Sequence, residues 1–223
     1  MISPGTSFDI AHLLAGGLVL ISFMMIYQDR LFALLNTFAL QALFLALAVA
    51  WQASVQHAPH LYVTAGIALI FKALIVPWAL HHIVRRLGIH REVETVVGTG
   101  LTMLAGIGLV ALSILLMLRL TAASGNALAR EDLAFALSVI LLGLLIMVTR
   151  RNAVSQVVGF MSLENGLILA AAGAQGMPLV VEISVAFSIL VAMIVIGVFL
   201  FRIRERFDSV DLSALDAFRG ERR

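Results

Sequence analysis

The chain contains no cysteine. Disulfides, iron–sulfur clusters and thiolate zinc sites held by this chain are therefore excluded. Charge is scarce as well. Only 13% of the 223 residues are Asp, Glu, Lys or Arg, against roughly a quarter in a soluble domain. Lysine occurs once, as Lys72. Hydrophobic residues make up 61% of the chain and the mean hydropathy is +1.05, in repeated apolar runs, which makes this an integral membrane protein. The pI near 9.7 does not point to nucleic acid, because the arginines lie in short loops between those runs. The opening "MISPGTSFDIAHLL" has neither the positive n-region nor the small-residue cleavage site of a signal peptide. The first apolar run is accordingly expected to be a mature transmembrane helix. There is no clear internal repeat and no barrel-like alternation. Backbone groups in lipid must be satisfied within their own segment, so the fold class is all-α.

A helix of about 20 residues crosses the hydrocarbon layer. By that measure the sequence predicts about seven spans, at roughly 8–27, 31–52, 61–83, 95–119, 132–149, 153–174 and 178–201. Breakers mark several of the links: "YQDR" at 27–30, "QHAPH" at 56–60, "SGN" at 124–126 and "AQGMP" at 174–178. Residues 1–203 form the transmembrane domain in this reading. Residues 204–223 form a short cytoplasmic segment, with Leu212, Leu215 and Phe218 at amphipathic spacing. An N-terminus outside places Arg30, Arg85, Arg86, Arg91, Arg150 and Arg151 in cytoplasmic loops, and Arg202, Arg204, Arg206, Arg219, Arg222 and Arg223 on a cytoplasmic tail. Only Arg119 and Arg130 fall outside, and the positive-inside bias then predicts N-out and C-in.

Helical rise converts position into depth. Lys72 lies about 16 Å from the outer end of its span, Glu164 about 16 Å from the inner end of its own, and Gln41 about 15 Å from its inner end. Three helices thus carry a polar group near the bilayer midplane, two of them ionisable. A charge at that depth costs about 2.5–3.5 kcal/mol on insertion scales, so it must face protein or water and find a partner. Burial and mutual attraction act in opposite directions on the charge of such groups. A pair balanced in this way responds to a neighbour's charge, a useful property for proton transfer. Pro77 cannot donate to the carbonyl of Ala73, and its ring crowds that turn. The helix is expected to kink or loosen one turn past Lys72.

Other polar groups are weaker candidates for proton transfer. Gln41 is expected to make an interhelical hydrogen bond. Glu182 sits one turn into the last span, near its outer end. His81 and His82 lie near the cytoplasmic end of the third span. In an unkinked helix His81 falls about 180° around the axis from Lys72, so the two do not form one relay unless Pro77 changes the phase. Asp9 and His12 have the spacing of half a metal site, but no further ligands accompany them and no metal is expected. Gly159, Ser162, Gly166, Ala170 and Gly173 form a small-residue stripe. Glu164 projects about 140° away from Gly159 on that helix, so the two faces are expected to address different neighbours.

The run "FKALIVPWALHHIVRRLGIHREVE" and the later "VGFMSLENGLILAA" together resemble hydrogenase-4 component E, a membrane subunit of formate hydrogenlyase and other energy-converting hydrogenase assemblies. The resemblance covers nearly the whole chain. It implies a subunit with no metal, cofactor or active site of its own. Such a subunit would sit among antiporter-like and other complex I-related membrane subunits, beside a peripheral nickel–iron hydrogenase and iron–sulfur proteins, in the cell inner (plasma) membrane. The last part of the chain is also similar, more weakly, to the small complex I subunit called 4L or K, which carries two intramembrane glutamates. Glu164 matches the first. The second is unmatched: an apolar residue near Leu190 stands in its place, and Glu182 lies about two turns earlier.

These readings converge on a non-catalytic subunit of a hydrogenase-type oxidoreductase complex, in which Lys72 and Glu164 take part in proton translocation while the chain also scaffolds the membrane arm. The alternative is a subunit of a multi-subunit cation/proton antiporter. A free-standing transporter is disfavoured by the lack of paired discontinuous helices. A retinal protein is disfavoured because its lysine would lie on the last helix, which here has none.

Overall fold

The computed structural model describes residues 4–87, 97–120 and 127–173, and within them every regular element is a helix. Six are long and apolar enough to cross a membrane: Asp9–Tyr27, Leu31–Val55, Pro59–His82, Thr99–Arg119, Asp132–Thr149 and Val154–Gly173. They match the first six expected spans. The seventh, at 178–201, and the segment 204–223 lie outside the described residues, as do Glu182 and Leu190.

We label the helices α1 (Pro4–Tyr27), α2 (Leu31–Val55), α3 (Pro59–Ile67), α4 (Val76–Leu87), α5 (Thr99–Leu120), α6 (Ala127–Thr149) and α7 (Ala153–Gly173). A π-helical segment, Ala68–Ile75, joins α3 to α4 within one span. Its backbone bonds reach five residues back: the Val76 N–H donates to the Phe71 carbonyl. The loosening attributed to Pro77 therefore lies before the proline and contains Lys72, rather than following it by a turn. This location has a chemical reason. Pro77 offers no N–H to Ala73, and a wider register on its N-terminal side redistributes the remaining donors. Such segments are often found at functional sites.

Turn chemistry fixes the link between α2 and α3. His57 takes a left-handed backbone (φ 53°), and the Ala58 N–H reaches back to the Ala53 carbonyl at 3.1 Å. This is a Schellman closure of α2, after which Pro59 opens α3, where its missing N–H costs nothing.

Four helices make a closed ring: α1 packs on α2 and α6, and α7 packs on α2 and α6. The α5 helix leans on α6 and α1, and the α3–π–α4 span leans on α2. Leu18, Leu45, Leu142 and Ile168 are fully buried in this arrangement. The outward faces are apolar, with Leu20, Leu104, Trp78 and Val148 all more than half exposed. In water such a belt would aggregate; in a bilayer it meets lipid or other subunits.

The tightest contact is between α6 and α7. A Cβ added at Gly143 would lie 2.7 Å from Leu163 Cα, and one at Gly159 would lie 2.9 Å from the Met147 nitrogen. Gly166 meets the Ile140 nitrogen at 2.8 Å in the same sense. The small-residue stripe does bring two backbones together, as its spacing predicts. We expect Gly143→Ala to lower stability by about 1–3 kcal/mol through overpacking. Gly108→Ala, at an open site on α5, should raise it by about 0.5–1 kcal/mol. Thermal unfolding in detergent micelles measures both.

Candidate functional site

Lys72 is buried within the π segment, and its Nζ donates to Glu164 Oε2 at 3.1 Å and to Asn165 Oδ1 at 3.0 Å. The two ionisable groups that depth placed near the midplane thus form one buried ion pair across 92 residues of sequence. An unpaired charge here would face the full desolvation penalty. The pair offsets much of it, provided other hydrogen bonds satisfy the remaining donors and acceptors.

Those bonds come from a polar hub inside the ring. Asn165 Nδ2 donates to Gln41 Oε1 at 3.1 Å. Gln41 Nε2 donates to Ser22 Oγ at 2.8 Å and to Ser162 Oγ at 2.9 Å. Ser22 in turn donates to the Leu18 carbonyl at 2.8 Å. All six side chains are buried. The Gln41 amide makes the interhelical bonds expected of it, and both kinds of its polar atoms are satisfied. From Lys72 to Leu18 each bond points the same way, so neighbouring bonds polarise and strengthen one another.

Asn165, Ser22 and Ser162 were not assigned to the site from sequence. Asn165 stands beside Glu164 in "LENG", and one helical step places it between the glutamate and the serine face. Ser162 belonged to the small-residue stripe by spacing, yet its hydroxyl meets Gln41 on α2 while Gly159 and Gly166 meet α6. Glu164 faces away from that glycine contact, as its angle on the helix predicts.

The histidines of α4 stand apart from the hub. His81 Nδ1 donates to the Pro77 carbonyl at 2.9 Å, and its ring lies 5.2 Å from Phe32. His82 is exposed and stacks on Trp78 at 6.0 Å. Neither bonds to Lys72 or Glu164 among the described contacts, so the structure does not join them to that pair. The π segment changes the phase of the span, but it does not turn His81 into the hub.

A second polar cluster lies at the other end of the ring. His12 Nε2 approaches Asp132 Oδ1 at 3.7 Å. Gln52 Nε2 donates to Asp132 Oδ2 at 3.2 Å, and Gln56 Nε2 donates to Gln52 Oε1 at 3.1 Å and to the Ala172 carbonyl at 2.8 Å. His12 therefore has a distant partner on α6, where local spacing had paired it with Asp9.

At the arginine-rich end, Arg150 is buried. Its Nη2 donates to the carbonyls of Ile26 at 2.6 Å and Met25 at 3.3 Å, which close the C-terminus of α1. A cation there also answers the helix dipole. Burial pushes the guanidinium below the ordinary arginine value, and the Asp29 carboxylate pulls the other way.

The chain has relatives among known proteins along almost its whole length. "Uncharacterized protein Rv0085" of Mycobacterium tuberculosis is 34% identical over 210 residues, covering 92% of this chain and 94% of the relative. "Hydrogenase-4 component E" of Escherichia coli K12 is 29% identical over 219 residues, covering 96% of this chain and 100% of the relative. The protein of the same name from Shigella flexneri aligns equally well. No family model and no solved structure matches the chain. The expected likeness to the small complex I subunit is not shown by these comparisons.

The hub predicts its own energetics. Asn165→Leu removes one acceptor from Lys72 and one donor from Gln41, both buried, and should lower stability by about 2–4 kcal/mol. His82→Ala at the exposed ring should change it by less than about 0.5 kcal/mol. Denaturation of the detergent-solubilised protein distinguishes the two.

Proposed function

The chain belongs to the family that includes the mycobacterial protein Rv0085 and hydrogenase-4 component E, and on that premise we propose that it is a non-catalytic membrane subunit of an energy-converting hydrogenase complex. Its arginine-rich end faces the cytoplasm in this reading, and the membrane is the inner (plasma) membrane. The single observation that carries the reading is the buried Lys72–Glu164 pair, held by Asn165 and Gln41 midway along the bundle.

The chemistry divides among these groups. Amides donate and accept hydrogen bonds without changing charge, so Asn165 and Gln41 orient their neighbours rather than carry protons. Glu164 and Lys72 are the hub members that can take up or release one. A proton arriving on Glu164 discharges the carboxylate and leaves the Lys72 charge without its counterion, which alters the field felt by any neighbouring subunit. Redox chemistry belongs to partner subunits, and this chain contributes coupling and scaffolding. A cation/proton antiporter assembly would use the same pair without hydrogenase partners.

Two measurements test the proposal. Purification in mild detergent should bring down hydrogenase-type subunits with this chain; recovery with antiporter subunits alone would favour the rival assembly. In the intact complex, Glu164→Gln keeps the side chain's shape and its capacity to accept from Lys72. It should cut proton transport by about tenfold or more with the yield of complex unchanged. Normal transport in this variant and in Lys72→Gln would leave scaffolding as the role.

A further inference from the structure

Two buried polar atoms at the arginine-rich end have no hydrogen-bond partner among the described residues: Arg150 Nη1 and Ser155 Oγ. Arg150 is 2% exposed and Ser155 is 0% exposed. Ser155 breaks a rule that other hydroxyls of this protein follow. Ser22, Thr37, Thr102, Ser113, Ser138 and Thr149 each donate to the carbonyl four residues earlier in the chain. Ser155 makes no such bond, and its hydroxyl is left facing the interior. Leaving a buried polar group unpaired costs about 1–3 kcal/mol, and internal water commonly removes that cost.

The placement of these atoms gives such water a direction. Ser155 and Ser162 are about two turns apart on one face of α7, so both face the side on which Ser162 meets Gln41. On α1 the Ile26 carbonyl that receives Arg150 lies one turn from Ser22, the far end of the hub. On α2 Thr37 is buried one turn from Gln41, and its hydroxyl retains acceptor capacity. Three helices therefore set polar groups between the hub and the arginine-rich surface. Toward the opposite end, the buried α2 residues that follow Gln41 are Ala42, Leu45, Ala46, Ala48, Val49 and Ala53, all apolar.

We propose that Arg150 Nη1 and Ser155 Oγ bind internal water, and that this water forms an inlet from the arginine-rich end to the Ser22–Gln41–Ser162 end of the hub. The ligand class follows from the donors. An N–H and a hydroxyl suit water and offer no carboxylate cage for a metal cation. The guanidinium charge is offset by the α1 carbonyls and by Asp29. As a role for proton supply, the inlet rests on the proton-transfer reading above; as a hydrated site, it stands on its own geometry.

The absence of cysteine makes the test direct. Ser155→Cys, Val49→Cys and Arg151→Cys are made singly in the full chain, within native membranes containing the complex. A charged, membrane-impermeant methanethiosulfonate is added to inside-out and to right-side-out vesicles. Arg151 is exposed, so its cysteine variant marks the arginine-rich side. Val49 is fully buried on the apolar α2 stretch beyond the hub and supplies the dry reference. Thiolate is the species that attacks the reagent's sulfur, and a dry apolar setting suppresses it, so the Ser155→Cys thiol should react about tenfold faster or more than the Val49→Cys thiol, from the Arg151 side. Reaction no faster than the Val49→Cys thiol, or only from the opposite side, overturns the inlet. Neither result depends on proton transport, so the Glu164→Gln measurement fails or succeeds separately.

Discussion

A lysine inside hydrocarbon must be paired, and that requirement organises this protein. The α3–π–α4 span packs on α2, at the edge of the ring. Lys72 is its buried link to α7 through Glu164 and Asn165. Without that partner the ammonium would be stranded in a medium where an isolated charge is several kcal/mol too costly. The pair therefore fixes where the span sits and how far it is rotated. The wide π register around Lys72 is part of the same solution.

The other half of the constraint is α7, which carries two incompatible kinds of neighbour. One side needs backbone contact with α6, and glycine supplies it at Gly159 and Gly166. The other side needs ionisable and amide groups at fixed distance from α2 and the π segment. Putting these on separate faces lets close packing hold the polar face rigid. Precision at a buried polar network comes from such packing, because a hydrogen bond lengthened by an ångström leaves its partners nearly as poor as unpaired.

Much of this was legible in the sequence, for physical reasons. In a strongly apolar chain a single lysine and a mid-span glutamate stand out, and helical rise gives their depths, so Lys72, Glu164 and Gln41 could be placed on one level. The glycine stripe and its angle to Glu164 followed from the period of the helix. Local rules could not identify the partners. Asp9–His12 is a local spacing, whereas the His12–Asp132 contact depends on how distant helices meet. Serines are unremarkable on transmembrane helices, so Ser22 gave no signal until its bond to Gln41 was visible. Pro77 announced a disturbed helix, but only the backbone shows that the disturbance precedes it and encloses Lys72.

The geometry also bears on the coupling role proposed above. Lys72 belongs to the α3–π–α4 span at the edge of the ring, where Leu69, Ile70, Leu74 and Ile75 are exposed. A helix is about 10 Å across. At an effective dielectric near 20, a unit charge on an adjoining protein at about that distance acts on the buried pair with about 1.7 kcal/mol. That is about a tenfold change in a protonation equilibrium. In the proposed function, an effect of that size would move a proton on or off Glu164 and could be reversed in each cycle. A pair held deep in water-filled protein would be screened, and one behind two helices would feel less. A pair on a span at the ring's edge is buried and still within reach of a charge beyond that span.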